Sequence, residues 1–236
     1  MHPTLILLPG LMCDAAVWAP QCAALQAQAQ CVVPAYGLCD SLSAMAQQVL
    51  SQAPSERFSL AGHSMGGRVA LEVLRLAPQR VARLALLDTG AQPLPAGADG
   101  ERERVGRLAL LSQARRQGMR VMGSQWARAM VHPDQRDTPL FDAVLDMLER
   151  SSADQFAAQI NALLTRPDAS ALQPTIRCPT LVLCGREDSW NPPAQHERMR
   201  DAIANAELCV IERCGHMSTL EQPQAVNDAL AAWLQR

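Results

Sequence analysis

Short apolar runs alternate with longer stretches of helical period along most of the chain. Thr4 to Leu8, Cys31 to Pro34, the run opening at Phe58, Arg83 to Leu87, Pro179 to Cys184 and Leu208 to Ile211 each predict a strand. Between them, helices are predicted over Val17 to Gln28, from Ser41 or Ser43 to about Ala53, and from the turn at Ser64 to a stop at Pro78. Two more follow, from Pro192 or Pro193 to about Ala204 and from about Pro223 to Leu234. The strands read as continuous apolar runs rather than alternating ones, so helices must cover both faces of the sheet. That pattern predicts an α/β fold, a doubly wound and mostly parallel sheet of about six strands. Right-handed crossovers then put the ligand site beyond the carboxyl ends of the strands.

The rhythm breaks after Asp88. Residues 92–100 are rich in Pro and Gly and read as a loop. From Glu101 to about Arg166 the pattern is helical with no convincing strand, and breaks fall near Gly118, at His132-Pro133 and at Ser151-Ser152. The chain therefore divides into a core, 1–91 and 171–236, and a helical insertion, 92–170.

Composition narrows the function. A chain of 236 residues, 48% hydrophobic, suits one domain with a large core. A formal net charge of −2 points neither to nucleic acid nor to an anionic membrane. All basic charge is arginine, which rules out lysine Schiff-base or lysine general-base chemistry. The run Leu5 to Leu8 is short, lacks a basic flank and does not read as a signal peptide, and no stretch has transmembrane length. Eight cysteines without a C-x-x-C pair are expected to be reduced core residues of a cytoplasmic protein.

Candidate chemistry gathers at Gly62-His63-Ser64-Met65-Gly66, between a strand and a helix. A serine there occupies a strained turn that needs small neighbours, and the turn raises Oγ above the sheet end. The Met65 amide then lies at a helix N-terminus, where N–H groups and the dipole favour an anion. The segment resembles the nucleophile elbow of α/β-hydrolase-fold enzymes. The resemblance covers nearly the whole chain, except that the family core usually has two further strands at the N-terminus.

The resemblance implies a catalytic order of Ser, acid, His. Ser64, Asp188 and His216 fall in that order, each just past a strand. His216 lies in Gly215-His216-Met217-Ser218-Thr219-Leu220-Glu221-Gln222-Pro223, similar to the family's histidine segment. His2, His63, His132 and His196 lie in less suitable places. Asp188 lies in Gly185-Arg186-Glu187-Asp188, similar to the family's acid loop, and Asp88 at the end of an earlier strand is the rival acid. The backbone N–H groups of Leu11, in Leu8-Pro9-Gly10-Leu11, and of Met65 are the expected oxyanion donors. The resemblance makes the insertion a cap over the site.

The expected activity is cleavage of a carboxylic ester through an acyl-enzyme, without metal or cofactor. Thioester, lactone and C–C bond hydrolysis remain open on the same fold, as does a non-catalytic binding protein. Met12, Trp18, Trp126, Met130, Trp190 and Met217 are candidate substrate contacts. Met119, Met122, Leu140, Phe141, Leu145 and Leu148 either line an acyl pocket or form the inner faces of helices. The expected partner is a small-molecule ester, and a homodimer stays open. Residues 101–136 carry eight arginines against three acidic residues. That excess suits a solvated helix face, a carboxylate-bearing substrate or an acidic carrier protein.

Overall fold

The computed structural model describes residues 2–236. Six strands form one sheet: β1 (Thr4–Leu8), β2 (Gln30–Val32), β3 (Phe58–His63), β4 (Val81–Leu87), β5 (Thr180–Gly185) and β6 (Ala206–Ile211). Their order is β2-β1-β3-β4-β5-β6, and every neighbouring pair is parallel. Every residue of β1, β3 and β5 is buried, as covering helices on both faces require. The edge strands β2 and β6 are less buried.

Helices α1 (Ala19–Leu25), α2 (Leu42–Gln52), α3 (Met65–Leu76), α8 (Pro193–Ala202) and α10 (Pro223–Leu234) flank the sheet. Ser41 starts α2 by accepting the Ala44 N–H, a cap that stabilises by about 1 kcal/mol. The chain runs from β1 outward to β2, then returns past β1 to β3. The loops after β1 and β3 therefore diverge at a switch point, and Leu8 pairs with Gly62 at its floor.

One predicted helix is split. Asp14 caps a 3-10 turn over Ala15–Trp18, and Pro20 lacks the N–H needed to run that turn on, so α1 starts afresh and ends at Leu25. A short helix, α9 (Ser218–Glu221), follows His216 directly and is too brief to show in a periodic pattern.

Between β4 and β5 lie α4 (Ala98–Gln117), α5 (Met119–Trp126), α6 (Pro139–Glu149) and α7 (Ala153–Leu164), with no strand among the described residues there. Gly118, with φ at 88°, separates α4 from α5. Ser152 and Gln155 close a capping box at the start of α7. Met122, Phe141, Leu145 and Leu148 bury themselves between these helices, so they are packing residues. The cysteine expectation needs correction. All eight are free, but only Cys184 and Cys214 are buried, because the others sit in loops, in the short helix α1 or on the edge strands β2 and β6.

Candidate active site

The turn after β3 shows why its glycines are needed. A Cβ at Gly62 would collide with the Gly66 carbonyl, and one at Gly66 with the Leu8 carbonyl. Backbone thus packs on backbone, and Ser64 is forced to φ 54° and ψ −118°. Three bonds hold it there. Its N–H donates to the Leu87 carbonyl at 2.9 Å, its carbonyl accepts the Gly67 N–H at 3.0 Å, and the Thr89 hydroxyl donates to the same carbonyl at 2.6 Å.

His216 reaches Ser64 from the loop after β6. Ser64 Oγ lies 2.8 Å from His216 Nε2, and His216 Nδ1 lies 2.8 Å from Asp188 Oδ2. Burial would raise the Asp188 carboxyl, but the His216 ring and the Asn191 and Trp190 amides outweigh it and hold it below the usual carboxylate range. Asp188 is then an anion that only accepts, so Nδ1 carries the proton and Nε2 is free to take one from Ser64. Burial would lower His216, yet Asp188, with Asp88 and Glu221 adding to it, lifts the ring above its ordinary 6.5.

The rival acid has another place. Asp88 Oδ1 accepts the Gly185 N–H at 3.1 Å and Oδ2 bonds the Ser218 hydroxyl. Burial and the nearby Asp188 charge push its carboxyl well above the usual range. Asp88 ties the end of β4 to β5 and to the histidine loop. Glu221 does similar work unforeseen from sequence: its carboxylate accepts the N–H groups of Gly215, Met217 and His132, bracketing His216. His196 accepts the Thr89 N–H at 3.1 Å, and burial holds it down to about 4. His63, held to about 3 by burial and by His216, donates Nε2–H to the His216 carbonyl at 2.8 Å.

The Leu11 and Met65 amides flank Ser64, and neither has a hydrogen-bond partner among the described residues. Met65 opens α3, where the first N–H groups have no helical acceptor. Both residues line a cavity of about 720 Å³ with Ser64 and His216.

Of the candidate substrate contacts, Trp126, Met130 and Trp190 line this cavity. Trp126 stacks on Trp190 with ring centroids 5.2 Å apart, and Trp190 lies 4.9 Å from the His216 ring. The other three do not line it. Trp18 and Met217 are wholly buried in the core, because each lies on the inner side of the short helix it borders. Met12 turns away with φ at 58°, its N–H on Gln159 Oε1, and lines a separate cavity of about 320 Å³. Arg68, Arg107 and Arg166 line the main cavity, and nothing in the elbow motif marks them. Among the described residues no group of three His, Cys, Asp or Glu is placed to hold a metal ion. Among the described residues no helix is long and apolar enough to cross a membrane.

The same fold occurs in solved structures. A thermophilic esterase from Thermogutta terrifontis superposes with a TM-score of 0.87 at 26% identity, covering 99% of this chain and 91% of that one. The enol-lactonase of Burkholderia xenovorans LB400 shares the fold with a TM-score of 0.86 at 22% identity, over 100% of this chain and 92% of its own length. In sequence, the chain is 26% identical to the proposed carbamate hydrolase RutD of Stutzerimonas stutzeri, over 97% of this chain and 90% of that protein. The alpha/beta hydrolase family profile matches residues 5–229. With the six parallel strands and the turn at Ser64, that match makes this chain a member of the alpha/beta hydrolase family, an enzyme of that fold.

Proposed function

We propose that the protein is a serine hydrolase that cleaves a small carboxylic ester through an acyl-enzyme. The observation that carries this reading is the continuous chain of 2.8 Å bonds from Ser64 through His216 to Asp188, open to a cavity at Ser64. A serine hydroxyl is a weak nucleophile at neutral pH and needs a base at this distance.

His216 Nε2 takes the Ser64 proton as Oγ adds to the ester carbonyl. Negative charge grows on the carbonyl oxygen, where the Leu11 and Met65 amides donate to it. Each such donor contributes about 10²–10³ in rate. His216 returns the proton to the departing alcohol, and Asp188 holds the imidazolium in place. A water then gives its proton to His216, attacks the acyl carbon and releases the acid, restoring Ser64.

The inserted helices act as the cap, and Trp126, Met130 and Trp190 form an apolar wall beside His216. Carbamate or lactone substrates would use the same steps, in keeping with the relatives' names. The carrier reading has less support. Arg102, Arg104, Arg107, Arg120 and Arg128 are engaged by nearby carboxylates of the chain. Eight free thiols accord with a reducing, cytoplasmic location.

Intact mass after exposure to a fluorophosphonate, followed by a panel of p-nitrophenyl esters, tests the reading. One adduct on Ser64 with ester turnover is expected. An adduct without turnover on any ester moves the substrate to another acyl class, and no adduct overturns the nucleophile.

A further inference from the structure

Resting on the serine-hydrolase reading, we propose that the cavity beside Ser64 contains an anion subsite centred on Arg68, which receives a carboxylate carried by the substrate. Arg68 stands four residues after Ser64, one turn along α3, and lines the cavity with it. Its Nη1 donates to the Gln92 carbonyl at 2.7 Å. No carboxylate pairs with it among the described residues.

Its neighbours make the shortage of negative charge clear. Arg107 and Arg166 line the same cavity, and the facing carboxylate is Glu103. Glu103 is already engaged on both oxygens. Arg166 Nη1 reaches Oε1 at 2.7 Å and Nη2 reaches Oε2 at 2.8 Å, while Arg107 Nε reaches Oε1 at 2.9 Å. The remaining N–H groups of Arg166 point to the carbonyls of Gln92, Leu163 and Pro93. Five guanidiniums line the cavity, those of Arg68, Arg102, Arg107, Arg166 and Arg198, against the one lining carboxylate of Glu103, so positive charge is in excess within a partly enclosed space even with Arg102 paired to Asp99. Burial, with Arg166 and Arg107 adding to it, pulls Arg68 down to about 9, which still leaves it charged at neutral pH. A cation held in such a place is favoured by any anion that can reach it.

The cluster is more than a clasp for the helical insertion. Arg166 and Glu103 join α4 to the end of α7 without any help from Arg68, which belongs to the core helix α3. Nε and Nη2 of Arg68 have no hydrogen-bond partner among the described residues, and two such N–H groups suit a planar carboxylate gripped by two parallel bonds. A phosphate would call on more donors than Arg166, whose N–H groups are engaged, can spare.

Calorimetric titration with succinate, glutarate and adipate reads the subsite without turnover. Wild type is expected to bind at least one of them, Arg68→Gln about 10- to 100-fold more weakly, and Arg68→Lys in between, since lysine keeps the charge and loses the fork. Equal affinity in wild type and Arg68→Gln, or no binding of any of the three to wild type, overturns the subsite. Inorganic phosphate binding more tightly than every dicarboxylate overturns the carboxylate assignment. Should Arg68→Gln fail to fold, wild type alone decides. kcat/KM for p-nitrophenyl hydrogen glutarate or 4-acetoxybenzoate should exceed that for its uncharged counterpart by about tenfold or more at low salt and fall as salt rises. No preference for either charged ester overturns the proposal. Fluorophosphonate labelling of Ser64 is scored separately, so an unlabelled serine counts against the nucleophile and not against Arg68.

Discussion

At the carboxyl ends of β3, β5 and β6 the chain is held by main-chain hydrogen bonds and by glycines that admit no Cβ. Across the cavity, α4 and the end of α7 are held to each other by charged side chains, chiefly Arg166, Glu103 and Arg107. Ser64, Asp188 and His216 are fixed from several directions at once, and buried acceptors such as Asp88 and Glu221 serve only to position their loops. Of the helices opposite, α4 buries only Leu111 and Ala114 among its apolar residues and leaves Val105 and Leu108 exposed. The sheet ends thus form a floor fixed largely by main chain, and the inserted helices across the cavity form a roof that presents charged and aromatic side chains.

Variants in both regions and two pH series would break or sharpen this contrast. Ser64→Ala should lower turnover by about 10⁵- to 10⁶-fold while leaving the melting temperature near wild type, because no packing is lost. Substantial surviving turnover would remove the floor from the chemistry. Asp188→Asn should cost about 10⁴ in kcat, since the amide stabilises the wrong tautomer of His216. Asp88→Asn should cost far less in rate and more in melting temperature, because Ser218 and Gly185 are what it holds. The reverse ranking would exchange the two roles.

In the roof, Arg166→Met should cost about 2 kcal/mol of stability by leaving Glu103 and three carbonyls short of donors, a buried-pair loss reduced by the partial exposure of Glu103. Kinetics on a neutral ester should show KM rising more than kcat falls. A collapse of kcat would mean that roof and floor are one rigid unit.

The smallest effects are in pH. kcat/KM should climb through a value above 6.5, because only neutral His216 accepts the Ser64 proton. A raised His216 means that its pairing with Asp188 contributes stability in full below about 6.5 and loses it as pH rises through the folded value. His63 and His196 act with the opposite sign. Held to about 3 and about 4, they refuse protons that the unfolded chain accepts, so stability falls as pH drops below about 6.5. Each of the two therefore lowers the melting temperature at about pH 4.5 relative to about pH 7, a contribution that calorimetric melts read as the difference between wild type and a variant. His196→Gln should flatten that fall, and an unchanged slope would exclude His196 as its source.

Much of the floor was legible in the chain. Gly62-x-Ser64-x-Gly66 specifies a turn because backbone contacts there forbid any side chain, and that constraint is local. Strand ends follow from apolar runs, and the resemblance to the family supplied the order that singled out Asp188 and His216 there. The candidate contacts fared unevenly for a physical reason. Trp126, Met130 and Trp190 face the cavity, whereas Trp18 and Met217 point into the core. A hydrophobic residue next to a catalytic segment looks the same in either role until its side-chain direction is known.

By itself the sequence determined what short-range sterics and periodicity determine: six parallel strands, the strained serine, and a helical insertion after Asp88. The tertiary structure decided which of two buried aspartates faces His216, since both end strands and only their crossing distances differ. It decided too that Glu103 serves Arg107, four residues along its own helix, and Arg166, 63 residues away, leaving Arg68 without a carboxylate. Charge pairing across such separations depends on how α4 and α7 meet, and no local pattern records it.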